Sequence, residues 1–426
     1  MQEGQKRELV RVTFVGDLMC KREQLAVIRQ GQRTWDEIFD FTRCLFEDSD
    51  IVIGNLETPL AGKACEYTKY PLYFNTPDDF AVAIKRAGIG FVTTANNHCM
   101  DRGVAGLNAT IDALDRAGLA HTGTYKTKAE SDEIKVVDVA GIKLALVTAT
   151  YGINSEVVRP YIHREQLPDE EGWRIDLLKR PARPSHKAKI KVSLTQVLKK
   201  RAISVSRRIR NALLTLMGVP VGKPKTNDYL SDNVPPQEIG NPIHEQWLNR
   251  YLDKIKRAHE VADVVIALPH VGGQYNPTPG VYQHYITDRI VAAGADLVIE
   301  NHSHNPLPTV NYPNGVFVAY SLGNFCFTPY VDSFVPQSFG EYGVVLDVWF
   351  DRQTKCQVKR KFTLVKNVVG GDGFSYPVPV EKLFDQYGND VEKRQRLKQD
   401  VDLVMLKLTG RCGEFPCGGE LERAVP

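Results

Sequence analysis

The strongest constraint on this chain is where its apolar runs end. Five β-rich segments stop at polar side chains able to bind a metal: Asp17 after RVTFVG, Glu57 after IVIGNL, Asn97 and His98 after FVTTAN, His270 after VVIALP, and His302 with His304 after LVIEN. Between them lie segments with helical spacing. Phe80, Ala83, Ile84 and Ala87 form one stripe in Asp78–Gly88, and Leu107, Ile111, Leu114 and Ala117 form another in Gly106–Gly118, where Gly118 is the stop. Further helices are predicted over Pro242–Ala262 and Tyr282–Ala293, and strands over Lys135–Val139, Lys143–Thr148, Gly343–Phe350 and Lys359–Val365. Such alternation predicts an α/β layered core. In open α/β sheets, ligands bind at the carboxyl ends of the strands. Carboxylate, amide oxygen and imidazole delivered there make a mixed nitrogen and oxygen donor set, suited to Mn, Fe or Zn without any thiolate.

Taken singly, these residues have plainer roles. A lone His98 or His270 is more often a hydrogen-bonded core histidine, and Asp17 alone fits a turn or a helix cap. The His302–His304 pair says more, because residues two apart on an extended segment point to opposite sides. Both can face one ion only if the backbone bends, which Asn301 and Pro306 permit. It is the set, rather than any member, that predicts a metal site.

Composition removes several classes of protein. With 426 residues, 42% hydrophobic and 25% charged, the chain is neither mostly disordered, nor collagen-like, nor a disulfide mini-scaffold. No apolar run nears the about 20 residues that cross a bilayer, and the start MQEGQKRELVRVTFVGD leaves no room for a signal peptide. A cytoplasmic location is therefore expected. The eight cysteines show no CxxC pairing and read as reduced thiols, with Cys412 and Cys417 close enough in sequence to pair or share a metal. Cys20 and Cys99, beside Met19 and His98, read as structural.

The net charge of +3 names no partner, but its distribution is uneven: between Asp176 and Lys225 there are 14 Lys or Arg and a single acid. Within that stretch Leu194, Leu198, Val205, Ile209, Leu213 and Leu216 lie at helical spacing opposite the cations. Two readings stay open. Residues 176–225 form either a solvated helix packed on the core or a surface for a polyanion or an anionic membrane; no specific nucleic-acid partner is indicated. Residues 8–155 and 241–366 read as the halves of one core, 156–240 as a basic, proline-framed helical insertion, and 367–426 as a C-terminal extension.

The strings GDLM, GNLETPL, TTANNHCMDRG, GADLVIENHSH and YSLGNFCF, in this order, resemble the CapA (PgsA) family of poly-γ-glutamate capsule biosynthesis proteins. That family resembles a branch of the calcineurin-like metallophosphoesterases. The likeness covers roughly residues 10–155 and 240–330. It implies a four-layer α-β-β-α sandwich and a divalent centre of one or two ions. By the resemblance, Glu57, Asn97, His270 and His302 bind one ion, and Asp17, Glu57 and His304 the other. His98 becomes the acid that protonates a leaving group, and Asp101 either orients His98 or caps a helix. Asn55, Asn96, Gln274 and Asn324 are carried over as substrate contacts, with backbone shaping the first role of Asn324.

The chain departs from the superfamily pattern at Met19, where a histidine ligand is expected and a thioether is a poor substitute for hard divalent ions. Glu57 is one methylene longer than the usual bridging Asp. Glu300 and Asn301 replace a glycine, and Gln274 stands where a glutamate is usual. The activity implied is phosphoester hydrolysis by a metal-activated hydroxide on an anionic small-molecule or polymer substrate. The alternatives are a non-catalytic accessory role in synthesis or export of an anionic capsule polymer, or action on an amide or γ-glutamyl bond.

Overall fold

The computed structural model describes residues 8–69, 72–154, 165–181, 234, 238–327 and 338–410. Four strands come first: β1 (Leu9–Leu18), β2 (Ile51–Leu56), β3 (Phe91–Thr93) and β4 (Ala120–Thr122), all parallel to one another. The chain then builds a second sheet from β5 (Val136–Val139), β6 (Ile142–Thr150), β7 (Val264–His270), β8 (Leu297–Ile299), β9 (Thr309–Asn311) and β10 (Phe317–Ala319). It returns to the first sheet with β11 (Asn324–Cys326), β12 (Tyr342–Asp351), β13 (Gln357–Val369) and β14 (Ser375–Pro379). The strand orders are β14-β13-β12-β1-β2-β3-β4, with β11 on β1, and β5-β6-β7-β8-β10-β9.

The two-residue period of the strands decides what each sheet buries. Phe14, Ile53 and Phe91 on the first sheet meet Leu146, Ile266 and Leu297 on the second in one inter-sheet core. Their neighbours Val15, Val52 and Val92 point the other way, against Leu25 of the helix Arg22–Arg29 and Phe80 and Ile84 of the helix Asp79–Arg86. On the far side Val147, Val265 and Val298 take Leu248 and Tyr251 of the helix Pro242–Ala258 and Ile286 of the helix Val281–Ala292. The result is the predicted four-layer α-β-β-α sandwich.

Local signals set the helix limits. Asn241 caps the helix that begins at Pro242 by accepting from the Ile243 amide, and Gly118 ends the helix Gly103–Ala117 in the left-handed conformation at φ 62°. β13 runs through residue 366, β14 adds to the sheet, and the helix Val391–Thr409 buries Leu397, Val404, Met405 and Leu408 in the inter-sheet core. The described residues from 367 to Thr409 thus pack as part of the sandwich. The predicted amphipathic segment from Leu194 to Leu216, and Cys412 and Cys417, lie outside the described residues. Among the described residues no helix is long and apolar enough to cross a membrane, and Cys20, Cys44, Cys65, Cys99, Cys326 and Cys356 are free.

Candidate metal centre

Parallel strands put their carboxyl ends at one edge, and the side chains singled out in the sequence gather there. Asp17 is the penultimate residue of β1, opposite Asn55 of β2 and Asn324 of β11. A Cβ on Gly16 would collide with the carbonyl of Gly323, so only glycine lets β1 pass this close. The Asp17 amide donates to that carbonyl at 3.0 Å. The GDLM and SLGNF strings, far apart in sequence, are therefore one structural unit. His270 ends β7 and bridges to Asn301, just beyond β8.

Four donor atoms converge on one point. His270 Nε2 lies 2.9 Å from Asn97 Oδ1, 3.0 Å from His302 Nδ1 and 3.3 Å from Glu57 Oε1. A second group adjoins it: His304 Nδ1 is 3.3 Å from Asp17 Oδ2, and His304 Nε2 is 3.7 Å from Glu57 Oε1. Glu57, His302 and His304 each offer an atom within 4.8 Å of the others. All six side chains are buried.

The bend that the His302–His304 pair required is present. His302 and His304 have φ of 103° and 55°, both in the left-handed region that costs a non-glycine residue about 1–3 kcal/mol. The loop is over-determined by its surroundings. Asn301 donates its amide to Pro269 O, Val271 to Asn301 O and Tyr275 to Ser303 O. Behind it Glu300, in place of the expected glycine, accepts from Gln283 Nε2 at 2.7 Å and Thr287 Oγ1 at 2.5 Å, tying the loop to the helix Val281–Ala292.

Three asparagines expected to meet substrate serve the scaffold instead. Asn55 Nδ2 donates to Asp17 Oδ1 at 2.7 Å and lies 3.2 Å from His270 Nδ1, while its oxygen accepts from Thr93. Asn96 donates to Leu56 O and accepts the His98 amide. Asn324 Oδ1 is 3.0 Å from His304 Nδ1, and its Nδ2 donates to His304 O and Gly340 O. Both ends of each carboxamide are engaged within the protein and the residues are buried; Asn55 and Asn324 bond to the clustered side chains, Asn96 to the backbone beside them. Gln274 stands half-buried in the turn after β7, and none of the described hydrogen bonds ties it to the cluster.

His98 Nδ1 lies 2.7 Å from Asp101 Oδ2, which also accepts the Phe74 amide at 2.8 Å. A proton on Nδ1 donated to Asp101 leaves Nε2 facing away from that pair. Asp101 thus holds His98 by its side chain. Asn154 accepts from Asn97 Nδ2 at 3.3 Å, which turns Asn97 Oδ1 toward His270, and its own Nδ2 is 3.3 Å from His98 Nδ1.

Asn154 escaped sequence reasoning, as did Tyr151, whose ring is 4.7 Å from that of His302, and Tyr275, 5.5 Å from His304. The signal for the first two was the polar and aromatic tail TYGIN after β6, a sixth strand ending at the same edge.

Charge is poorly balanced in this pocket. Burial, with Asp17 adding to it, pushes Glu57 well above the usual carboxylate range. Burial also works to raise Asp17, but the hydrogen bond from His304 and the charges of His270 and His304 hold it low. Burial pulls His270 down to about 4 and drives His302 well below its ordinary value, with His270 and His304 adding repulsion. For His304 the carboxylates of Glu57 and Asp17 outweigh burial and raise it.

Neither oxygen of Glu57 accepts a hydrogen bond. A fully buried carboxyl group with neither oxygen hydrogen-bonded costs several kcal/mol, whether it stays charged or takes up a proton to shed the charge. A divalent cation among these donors removes that cost, and imidazole, amide and carboxylate donors fit Mn, Fe or Zn. The residues present therefore suit a metal.

Two face-to-face sheets with helices on both outer sides, and polar donors gathered at the strand ends, make the four-layer α-β-β-α architecture expected from the sequence. Residues 11–329 match the family described as bacterial capsule synthesis protein PGA_cap, and the chain belongs to that family.

It is similar to the PGA biosynthesis protein CapA of Bacillus subtilis, 22% identical over 322 residues, which are 75% of this chain and 64% of that one. It is also similar to the capsule biosynthesis protein CapA of Bacillus anthracis, 24% identical over 326 residues, 76% of this chain and 61% of that one. The chain thus spans less than two thirds of the length of these two relatives. Among solved structures, a novel phosphatase from Mycoplasma pneumoniae aligns over 84% of this chain and 94% of its own, at 10% identity and a TM-score of 0.36. That likeness is too distant to bear on the chemistry.

Proposed function

We propose that this chain is a metal-dependent hydrolase that cleaves phosphoesters. One observation carries the reading: Asn97 Oδ1, His302 Nδ1 and Glu57 Oε1 lie within 3.3 Å of His270 Nε2, brought there from four separate strand ends. A divalent ion held by these atoms supplies Lewis acidity and lowers the pKa of bound water toward neutrality. Asp17 and His304 extend the donor set for a second ion.

The chain's own residues do the rest. Asp101 fixes the tautomer and angle of His98, so that His98 Nε2 holds a proton for the departing oxygen. Asn55, Asn154 and Asn324 keep His270, Asn97 and His304 in place, and the apolar wall of Met19, Phe74 and Phe327 limits water on one side.

The test is a screen of the Mn-reconstituted protein with p-nitrophenyl phosphate and bis-p-nitrophenyl phosphate. Turnover that depends on metal and collapses in His302→Ala supports the reading. No turnover with metal bound contradicts it.

Family membership favours a second reading, a non-catalytic or γ-glutamyl-acting accessory role in making or exporting an anionic capsule polymer. In that case the cations of residues 176–225 grip the polymer, or an anionic membrane surface, and deleting them weakens salt-dependent binding.

A further inference from the structure

Lys21 follows β1 at this edge and is the N-cap of the helix Arg22–Arg29: its backbone amide donates to Gln24 Oε1 at 3.4 Å, while its ammonium makes no capping hydrogen bond. Caps are normally Ser, Thr, Asp or Asn, whose oxygens accept the helix's orphan amides, and a lysine can accept nothing. Its cation also stands beside the positive end of the helix dipole, where a negative group is favoured.

The side chain also turns the wrong way for a surface lysine. Lysines ordinarily bury their stems and send the ammonium to water. Here Nζ lies 3.7 Å over the ring of Phe327, and Phe327 stacks on His304 with centroids 5.7 Å apart and planes 18° from parallel. The ammonium is thereby held at the wall of the centre, on the side where buried Met19 packs with Phe74 and Phe327. Burial pulls its pKa down to about 8, against the opposing charges of Glu23 and, more weakly, Glu57. It remains largely protonated at neutral pH.

We propose that Lys21 binds an anionic oxygen of the substrate, so that the centre selects molecules presenting a phosphate or carboxylate group to the metal. This rests on the metal-site reading above. A thioether at Met19 contributes no charge and no hard-metal ligand on this side. A compact ammonium two residues further on adds positive charge on the side where Asp17 and Glu57 carry the negative charge of the centre. Lysine is suited to this as a point charge, and in a water-poor site such a charge counts for more than in water.

The test uses the full chain, reconstituted with Mn, as wild type, Lys21→Met and Lys21→Arg. Metal content, the thermal melt, and calorimetric binding of inorganic phosphate and of glutarate are measured for each. The expected result is unchanged metal and melting, at least about tenfold weaker binding of one or both anions in Lys21→Met, as for a lost charge-assisted hydrogen bond, and partial recovery in Lys21→Arg. Loss confined to phosphate assigns a phosphoryl group, and loss confined to glutarate a carboxylate. Anion binding within twofold of wild type in Lys21→Met overturns the proposal, as does loss of the metal in that variant or failure of the wild type to bind either anion. Lys21-dependent phosphate binding without any ester turnover upholds the role of Lys21 while removing the hydrolase reading.

Discussion

On one side of Glu57, three donors from separate strand ends sit within 3.3 Å of His270 Nε2. On the other, Asp17 and His304 stand 3.3 Å apart, and the position where a third ligand is expected belongs to Met19, buried among Phe74 and Phe327. Glu57 is common to both sides. The contrast teaches that sharing a bridging carboxylate does not make two positions equivalent. The first has a carboxylate, an amide oxygen and two imidazoles, a full set for one ion. The second has two carboxylates and one imidazole, with a thioether that adds nothing for a hard ion. The account therefore assigns tight binding to the first position and weak binding to the second.

The largest effect that can break this contrast comes from the crowded side. His302→Ala should take the metal content of purified protein from one ion per chain toward none, as read by elemental analysis. Unchanged content would mean that the converging donors hold nothing.

Next in size, His98→Ala should lower phosphoester turnover by roughly 10²–10⁴-fold, the usual worth of a positioned acid, while the ion stays bound. Full activity would remove His98 from the chemistry.

Asn55→Leu touches both sides, since Asn55 reaches Asp17 and His270 together. Metal affinity should fall about 10–100-fold, the range for a lost second-layer partner, and titration with a competing chelator measures it.

Acidity sharpens the same contrast more gently. The folded pKa of Glu57 lies well above its ordinary 4.5, so the metal-free protein carries a proton there that the ion must displace. Affinity should rise with pH, by about tenfold per unit for each proton released, until the pH exceeds that raised value. Affinity that does not rise with pH above the ordinary carboxylate range would place Glu57 outside the coordination sphere.

The smallest expected change is a gain. Met19→His should add a nitrogen donor to the poor side and lift metal content above that of wild type, toward two ions.

How much of this was legible in the sequence depends on where each residue's partners lie. Asp17, Glu57, Asn97, His270, His302 and His304 could be read because each follows an apolar strand run, and the parallel sheet turns that one-dimensional position into a shared edge. The need for a bend at His302 and His304 followed from side-chain alternation alone.

What each asparagine does was not legible. Asn55, Asn96 and Asn324 look like substrate contacts from their place beside the ligands, and only the fold shows both ends of each amide already taken. Asn154 was missed because β6 extends to Thr150, two residues beyond the predicted end, and so its tail was not scanned as a strand end. Lys21 was invisible for a simpler reason. A lysine in sequence reads as surface, and its approach to Phe327 depends on β11 pairing with β1 from some three hundred residues away.

The central claim is that donors from separate strand ends enclose a cation, and anomalous X-ray scattering from crystals soaked with Mn tests it most directly. The account predicts a peak within coordinating distance of Glu57, Asn97, His270 and His302, with a weaker one or none beside Asp17 and His304. A map whose manganese peaks lie only on the surface, with the donors bonded to one another instead, would contradict it.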